Sequence, residues 1–237
     1  MILHNEPSFL IYFGDKGDRC VKTTKNYSFS AFKDVQQAMP KMEKLVFLKQ
    51  EHGVEGMVFK DHSSIPTEVT LFKHTGDFII TNLRKVGIGI LTADCLPLIF
   101  YDPVKHVVSV IHAGWRSAVH GIVQVVLHKM KEEFGTNSAD ITAYFGPSAK
   151  VCCYEVERDF LESLEGSEFA EQAIFKRDEQ MFFNLPRFVK LQLLDLGVKK
   201  ESIRKEYNSC TICDERFHSC RRDKKVKYRQ ATVVMLK

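Results

Sequence analysis

An α+β fold, with a mixed β-sheet core and packed helices, is predicted by three features of the 237-residue sequence. Short β-branched or aromatic runs crowd the middle of the chain, helical periodicity follows in blocks, and the two do not alternate strictly as βαβ units would. The length suits one large domain with a sizeable core, so residues 1–237 are read as a single domain, with 1–44 its least readable part.

In chain order, Phe9–Phe13 and Leu45–Lys49 read as strands flanking a helical stretch, Ser30–Glu43, that Pro40 interrupts. Met57–Phe59, Phe78–Thr81 and Val86–Leu91 are further strand-like runs, separated by a polar loop containing His62, Pro66 and His74. Leu96–Tyr101 and Val107–Ile111 follow as buried strands, with Asp102-Pro103 turning between them. Ser117–Phe134 places Ala118, Ile122, Val125, Val126 and Met130 at helical spacing, and Gly135 ends it. Ile141–Phe145 predicts another strand, closed by Gly146-Pro147. Two or three helices are then expected, from Val156–Leu164, Glu168–Phe175 and Pro186–Leu196, the last the strongest, with Gly197 just past its end. Ala231–Leu236 is the closing strand.

Composition excludes several classes. Apolar content of 44% with 27% charged residues is ordinary for a globular protein and argues against disorder. Phe9–Phe13 is too brief for a signal h-region or a membrane span, so a cytoplasmic protein without membrane contact is expected. Seven cysteines, an odd number with Cys152-Cys153 adjacent, do not read as a disulfide framework, and reduced thiols fit better. The net charge of +4 is concentrated between Arg221 and Arg229, a run that usually forms a solvated hairpin or edge strand and makes nucleic acid an unfavoured partner.

Chemistry concentrates where the strands end. Cys95 and His112 terminate consecutive apolar runs, and His52 stands in Gln50-Glu51-His52-Gly53. Two imidazoles and a thiolate suit zinc and leave one tetrahedral position free, but spacings of 43 and 17 positions match no compact finger, so the fold would have to assemble the site. In His112-Ala113-Gly114-Trp115-Arg116-Ser117, a strand passes into a helix. Ser117 is read as its cap, and the free N–H groups with Arg116 as an anion site; the competing reading packs Trp115 and pairs Arg116 with a surface carboxylate. Cys210-x2-Cys213-x4-His218-x-Cys220 begins like a zinc knuckle, but its last gap is too short and Asp223 stands where a fourth ligand would be. Buried free thiols are the expectation there, and Cys152-Cys153-Tyr154-Glu155 reads as a short packed segment.

Together these blocks resemble the YfiH/laccase-domain family, which carries a multicopper polyphenol oxidase label and is now regarded as purine nucleoside phosphorylases. The resemblance rests on QEHG around His52, GDFIIT at Gly76–Thr81, LTADCLPLIFYDP at Leu91–Pro103 and HAGWRS at His112–Ser117. FGPSAKVCCYEV, NLPRFVKLQLLDLGV, CTICDERFHSCRRD and the closing RQATVVML continue it to the end. It implies a single domain of the YfiH fold and a zinc held by His52, Cys95 and His112, in preference to copper. It also implies cleavage of adenosine, inosine or methylthioadenosine by phosphate to free base and ribose 1-phosphate, with adenosine deamination as a side activity. Phosphate is the co-substrate, and a monomer or homodimer is expected. Arg116, Ser117, Arg221 and Arg229 are the phosphate or substrate candidates, with Arg222 and Gln230 in the same closing block. Asp94 is a candidate for proton transfer or for orienting a ligand, with turn capping as the competing role.

The chain departs from the family at several places. The N-terminal Asn-Leu-Gly element is replaced by Asn26-Tyr27-Ser28-Phe29, Lys60–His74 looks like an inserted loop, and Ser117 and Cys220 stand where Gly and Tyr are usual. Three other functions compete. Cys95 and His112 could be the nucleophile and base of a cysteine hydrolase; a copper-dependent phenol oxidase would need ligand clusters the sequence lacks; and the basic run could bind an anionic partner without catalysis.

Overall fold

Apolar runs too short for helices and bounded by turn residues become strands, and those at the centre of the sheets, such as Val86–Thr92, Leu96–Asp102 and Val107–Ala113, are buried on both faces. The computed structural model describes residues 1–18, 20–22, 27–28, 32–65, 69–164, 166–224 and 227–237. The chain opens with β1 (Ile2–Asn5), β2 (Phe9–Phe13), the short β3 (Cys20–Lys22) and β4 (Tyr27–Ser28), helix α1 (Phe32–Ala38) and β5 (Lys44–Lys49). Next come β6 (Gly56–Phe59), β7 (Val69–Thr75), β8 (Phe78–Thr81), β9 (Val86–Thr92), β10 (Leu96–Asp102) and β11 (Val107–Ala113). Helices α2 (Trp115–Val119) and α3 (Ile122–Phe134) lead to β12 (Thr142–Phe145), β13 (Glu155–Val156), α4 (Arg158–Glu162) and α5 (Ala170–Ala173). The hairpin β14 (Ile174–Arg177) and β15 (Gln180–Phe183), helix α6 (Leu185–Asp195), β16 (Ile203–Arg204) and β17 (Tyr228–Leu236) complete the order.

The strands form two large mixed sheets. The first runs β1-β2-β17-β9-β5-β7 with β3 and β4 attached at the start of β17; the second runs β16-β12-β10-β11-β8-β6. Their facing sides share one core, in which Ile11, Val46, Ile88, Ile90 and Val234 of the first sheet meet Ile79, Ile99, Val108 and Val110 of the second. The alternate residues point outward. Leu96, Leu98, Phe100 and Ile111 pack under α2, α3 and α6, while Phe47, Leu91, Val233 and Met235 pack under Val35 of α1 and the adjoining Met39. The result is helix, sheet, sheet, helix, the period-two alternation of each strand serving two cores at once. Gly89, opposite Phe47 on the neighbouring strand, leaves room for that ring to lie across the sheet under α1, because a Cβ there would lie 2.3 Å from it. Among the described residues no helix is long and apolar enough to cross a membrane.

Several local expectations need correction. The helix predicted over Ser117–Phe134 is two helices, broken at Gly121, whose φ of 80° is left-handed; the apolar face keeps its phase across the break, so periodicity alone could not reveal it. Gly114, not Ser117, is the first cap. The loop read over Lys60–His74 contains β7, parallel to β5, with its Pro66 outside the described residues. Of the N-terminal helical stretch, residues 29–31 lie outside the described residues, and α1 ends before Pro40. Helices at Val156–Leu164 and Glu168–Phe175 shorten to α4 and α5, because Glu155, Val156 and residues 174–177 are drawn into a three-stranded sheet with β15. The Asp102-Pro103 turn stands, with the Asp102 carboxylate accepting the N–H groups of Val104 and Lys105.

Candidate metal centre

The antiparallel register of β10 and β11 sets Leu96 opposite Ala113 and Pro97 opposite His112, so Cys95 and His112 leave the second sheet at the same edge. His52 comes from the loop after β5 in the first sheet. Gln50 fastens that loop to the end of β9, its side chain both donating to and accepting from the Leu91 backbone at 2.8 Å. The potential ligand atoms of His52, Cys95 and His112 lie within 4.8 Å of one another, and the Cys95 Sγ is 3.8 Å from His52 Nε2. Gly114 closes the space behind them: a Cβ there would lie 3.0 Å from the His52 ring and 3.2 Å from the Cys95 sulfur.

One buried carboxylate organises the group. Asp77, at the turn into β8, accepts the Nδ1–H of His112 at 2.7 Å, which leaves Nε2 of that ring as the free donor for a metal. The same carboxylate accepts backbone N–H groups of Glu51, His52 and Gly53 at 3.1, 3.0 and 2.8 Å. These bonds hold His52 in the left-handed region at φ 62°, a conformation that costs about 1 kcal/mol or more for a residue with a Cβ. Burial opposes the charge on Asp77, but the bond to His112 and the loop N–H groups outweigh it and hold the carboxyl below its ordinary range. Burial also works against a Cys95 thiolate, yet the charge on His112 and the bonds from both imidazoles bring it down to about 6. On His112 the same burial is overcome by Cys95 and Asp77, which lift it to about 9. An easily formed thiolate between two imidazoles, one with its tautomer fixed, is a donor set that fits zinc.

His52 and Cys95 open into a cleft of about 340 Å³ that is also lined by Asp94, Trp115, Arg116, Tyr154, Leu185 and Arg221, among others, while His112 faces a smaller hollow beside it. That volume accommodates a small metabolite. Arg116 is exposed, its guanidinium 4.4 Å from the Trp115 ring centroid, so the ring orients the cation toward the cleft. Arg221 lies similarly over Tyr154, at 5.3 Å, and Arg229 lines a smaller hollow beside His52 and Cys95. The other predicted residues make hydrogen bonds within the fold. Buried Ser117 donates to the carbonyls of His112 and Gly114, bracing the strand-to-helix junction. Asp94 accepts from the Thr211 hydroxyl and from the Arg221 N–H, both at 2.7 Å, so both of its oxygens are engaged. Arg222 gathers the carbonyls of Thr211, Ile212 and Phe217 with Asp223, and the Gln230 side chain accepts the His218 N–H.

A family model described as multi-copper polyphenol oxidoreductase laccase matches residues 16–237. The chain belongs to that family. A relative from Aquifex aeolicus named purine nucleoside phosphorylase is 37% identical over 194 residues, covering 82% of this chain and 84% of its own. Purine nucleoside phosphorylase YlmD of Bacillus subtilis is 31% identical over 192 residues, covering 77% and 67% respectively. The crystal structure of the Bacillus licheniformis hypothetical protein YfiH superposes with a TM-score of 0.83 at 21% identity, covering 99% of both chains, and that of YlmD from Geobacillus stearothermophilus with 0.79 at 22% identity, covering 100% and 99%. The α+β fold predicted for the laccase-like family is therefore the observed one. Despite the family's label, among the described residues the triad is the only imidazole-containing group of three or more clustered ligand atoms.

Proposed function

We propose that this chain is a zinc-dependent purine nucleoside phosphorylase whose metal is held by His52, Cys95 and His112. The observation that carries the reading is the Asp77 carboxylate, which binds the His112 imidazole and the His52 loop at once and so builds a three-ligand site open toward the cleft. Two relatives named for this activity, each above 30% identity, support it. Bound zinc would supply a Lewis acid and a water of lowered pKa.

The chain's own residues supply the rest. Phosphorolysis forms a bond from a phosphate oxygen to C1′ of the ribose while the glycosidic C–N bond breaks, its electron pair and a proton going to the departing base. Arg116 and Arg221 offer the anion its charge-assisted donors, and Arg229 adds a third cation. Helix α2, only five residues long, contributes little dipole, so side chains carry phosphate binding. Trp115, Tyr154 and Leu185 give the cleft its apolar wall for the nucleoside. Asp94 acts as a positioning residue, fixing the backbone of Arg221. The same reading includes cleavage of methylthioadenosine and, as a side activity, attack of water at C6 of adenosine; a cytoplasmic location goes with it.

Purified protein given inosine or adenosine is expected to release base only when phosphate is present, with zinc bound at the triad. Cys95→Ala should abolish both zinc binding at the triad and base release. Unaffected base release in that variant would sink the metal-centred reading. A second reading draws on the chain Asp77, His112, Cys95, which also has the form of an oriented base beside a nucleophilic thiol. It leaves His52 without a role. Alkylation by iodoacetamide separates the two: a nucleophile reacts at once, whereas a zinc-bound thiolate reacts only after chelation.

A further inference from the structure

Two cysteine pairs far apart in sequence meet in space. Cys152 and Cys153 lie in a turn at 151–153, and Cys210 and Cys213 in a turn 58 residues later; their four sulfurs lie within 4.8 Å of one another. A turn, unlike a strand, lets adjacent side chains converge on one point. Cys152 and Cys213 are 3.9 Å apart at sulfur. Four sulfurs at the usual zinc–sulfur bond length of about 2.3 Å, placed at tetrahedral corners, are spaced at about 3.8 Å, whereas a disulfide needs about 2.05 Å. The surroundings suit a dianionic thiolate cluster. Backbone N–H groups of Ile212, Cys213 and Lys150 point at the Cys210 sulfur, and the Lys150 ammonium and Arg177 guanidinium bind carbonyls of these same loops.

We propose that Cys152, Cys153, Cys210 and Cys213 form a structural zinc site, separate from the triad, that clamps loop 148–154 to loop 208–214. The backbone is already matched for this, with Ser148 N–H donating to Ser209 O and Thr211 N–H to Ser148 O, each at 3.0 Å. A full set of four thiolates leaves no open position, which makes the site structural and not catalytic. Its consequence is local. Ala149, Tyr154 and Ile212 lie on the two clamped loops and line the cleft, and Thr211 holds Asp94. The clamp therefore fixes one wall of the cleft without touching the triad. Binding displaces one proton from each thiol that is protonated in the metal-free protein.

The test counts metal in the full-length protein. Zinc is measured by atomic emission in the wild type, in Cys95→Ser and in the double variant Cys152→Ser with Cys213→Ser, whose positions are exposed and tolerate a polar replacement. The double variant is expected to hold one equivalent less than the wild type, and Cys95→Ser is expected to retain that equivalent. Cobalt(II) loaded into Cys95→Ser should show intense near-ultraviolet sulfur-to-metal absorption with tetrahedral visible bands. If the double variant does not fold, the wild type answers alone: a thiol reagent should find four more reactive cysteines after chelation, beyond Cys95. Loss of triad zinc alone bears on the proposed activity and leaves this site intact. Equal zinc in folded wild type and double variant would overturn the proposal, as would a cobalt spectrum without thiolate absorption. A metal-free protein lighter by two hydrogens, with Cys152 joined to Cys213, would overturn it too.

Discussion

Asp77 decides more of the candidate site than any of the three ligands, because its two oxygens tie the ring of one imidazole to the backbone carrying the other. Asp77→Asn keeps the shape but removes the charge that fixes the His112 tautomer, so zinc affinity at the triad should fall about 10–100-fold, measured by chelator competition. His52, Cys95 and His112 stood out in the sequence as candidates, because imidazole and thiol at strand ends are conspicuous and the family resemblance joined them, and the fold brings the three together. Asp77 did not, since an Asp after Gly at a strand start also reads as an ordinary turn residue; the pairing of β8 with β11 is what brings it to His112. A different residue contributes to the response to acid. His218 is buried, its Nε2 lacks a partner among the described residues, and burial together with the nearby Lys16 charge lowers it to about 4. The native state thus refuses a proton that the unfolded chain accepts near pH 6.5, so the contribution of His218 to stability is full above that value and is lost as pH falls toward 4. His218→Gln should flatten this decline, which amounts to about 1–3 kcal/mol, in urea titrations compared at pH 7 and pH 5.

At the scale of elements, the junction of β11 and α2 is built to a tolerance of a few tenths of an ångström. Gly114→Ala would press a methyl group against His52 and Cys95, so the expected result is weaker zinc binding at the triad with the unfolding midpoint nearly unchanged, read by metal analysis beside circular dichroism. Strand runs such as Phe9–Phe13 and Phe78–Thr81 were legible to the residue, because β-branched and aromatic content and flanking turns agree there. The region after residue 150 was less so. Short elements such as α5 and β14 adjoin without a turn signal, and pairing with β15 decides which residues extend and which coil. The cysteine turns show the same limit: of the thiols expected to be buried, Cys210 is buried but Cys213 and Cys220 are exposed, and the neighbours of Cys210 and Cys213 are Cys152 and Cys153, far upstream, which spacing could not reveal.

At the scale of the whole molecule, the two sheets bring their strand ends to one place, and the site needs both: His52 from one, Cys95 and His112 from the other. The class of fold was legible, but the order of strands was not, because hydrophobic patterning says that a strand is buried and not which strand lies beside it. β17 lies between β2 and β9 in the first sheet, with Gln230 opposite Thr92 and Val234 opposite both Ile11 and Ile88. A chain ending at residue 227 should therefore show no cooperative unfolding transition in denaturant, since it lacks the strand that joins the two halves of that sheet. The position of β17 also sets a timetable. A ribosome makes β2 and β9 long before it makes the strand that separates them, so the nascent chain carries two open sheet edges that could pair wrongly with each other or with a neighbouring chain. A holdase that shields those edges until β17 (Tyr228–Leu236) is made should raise the yield of native protein more than it changes the stability of the finished molecule.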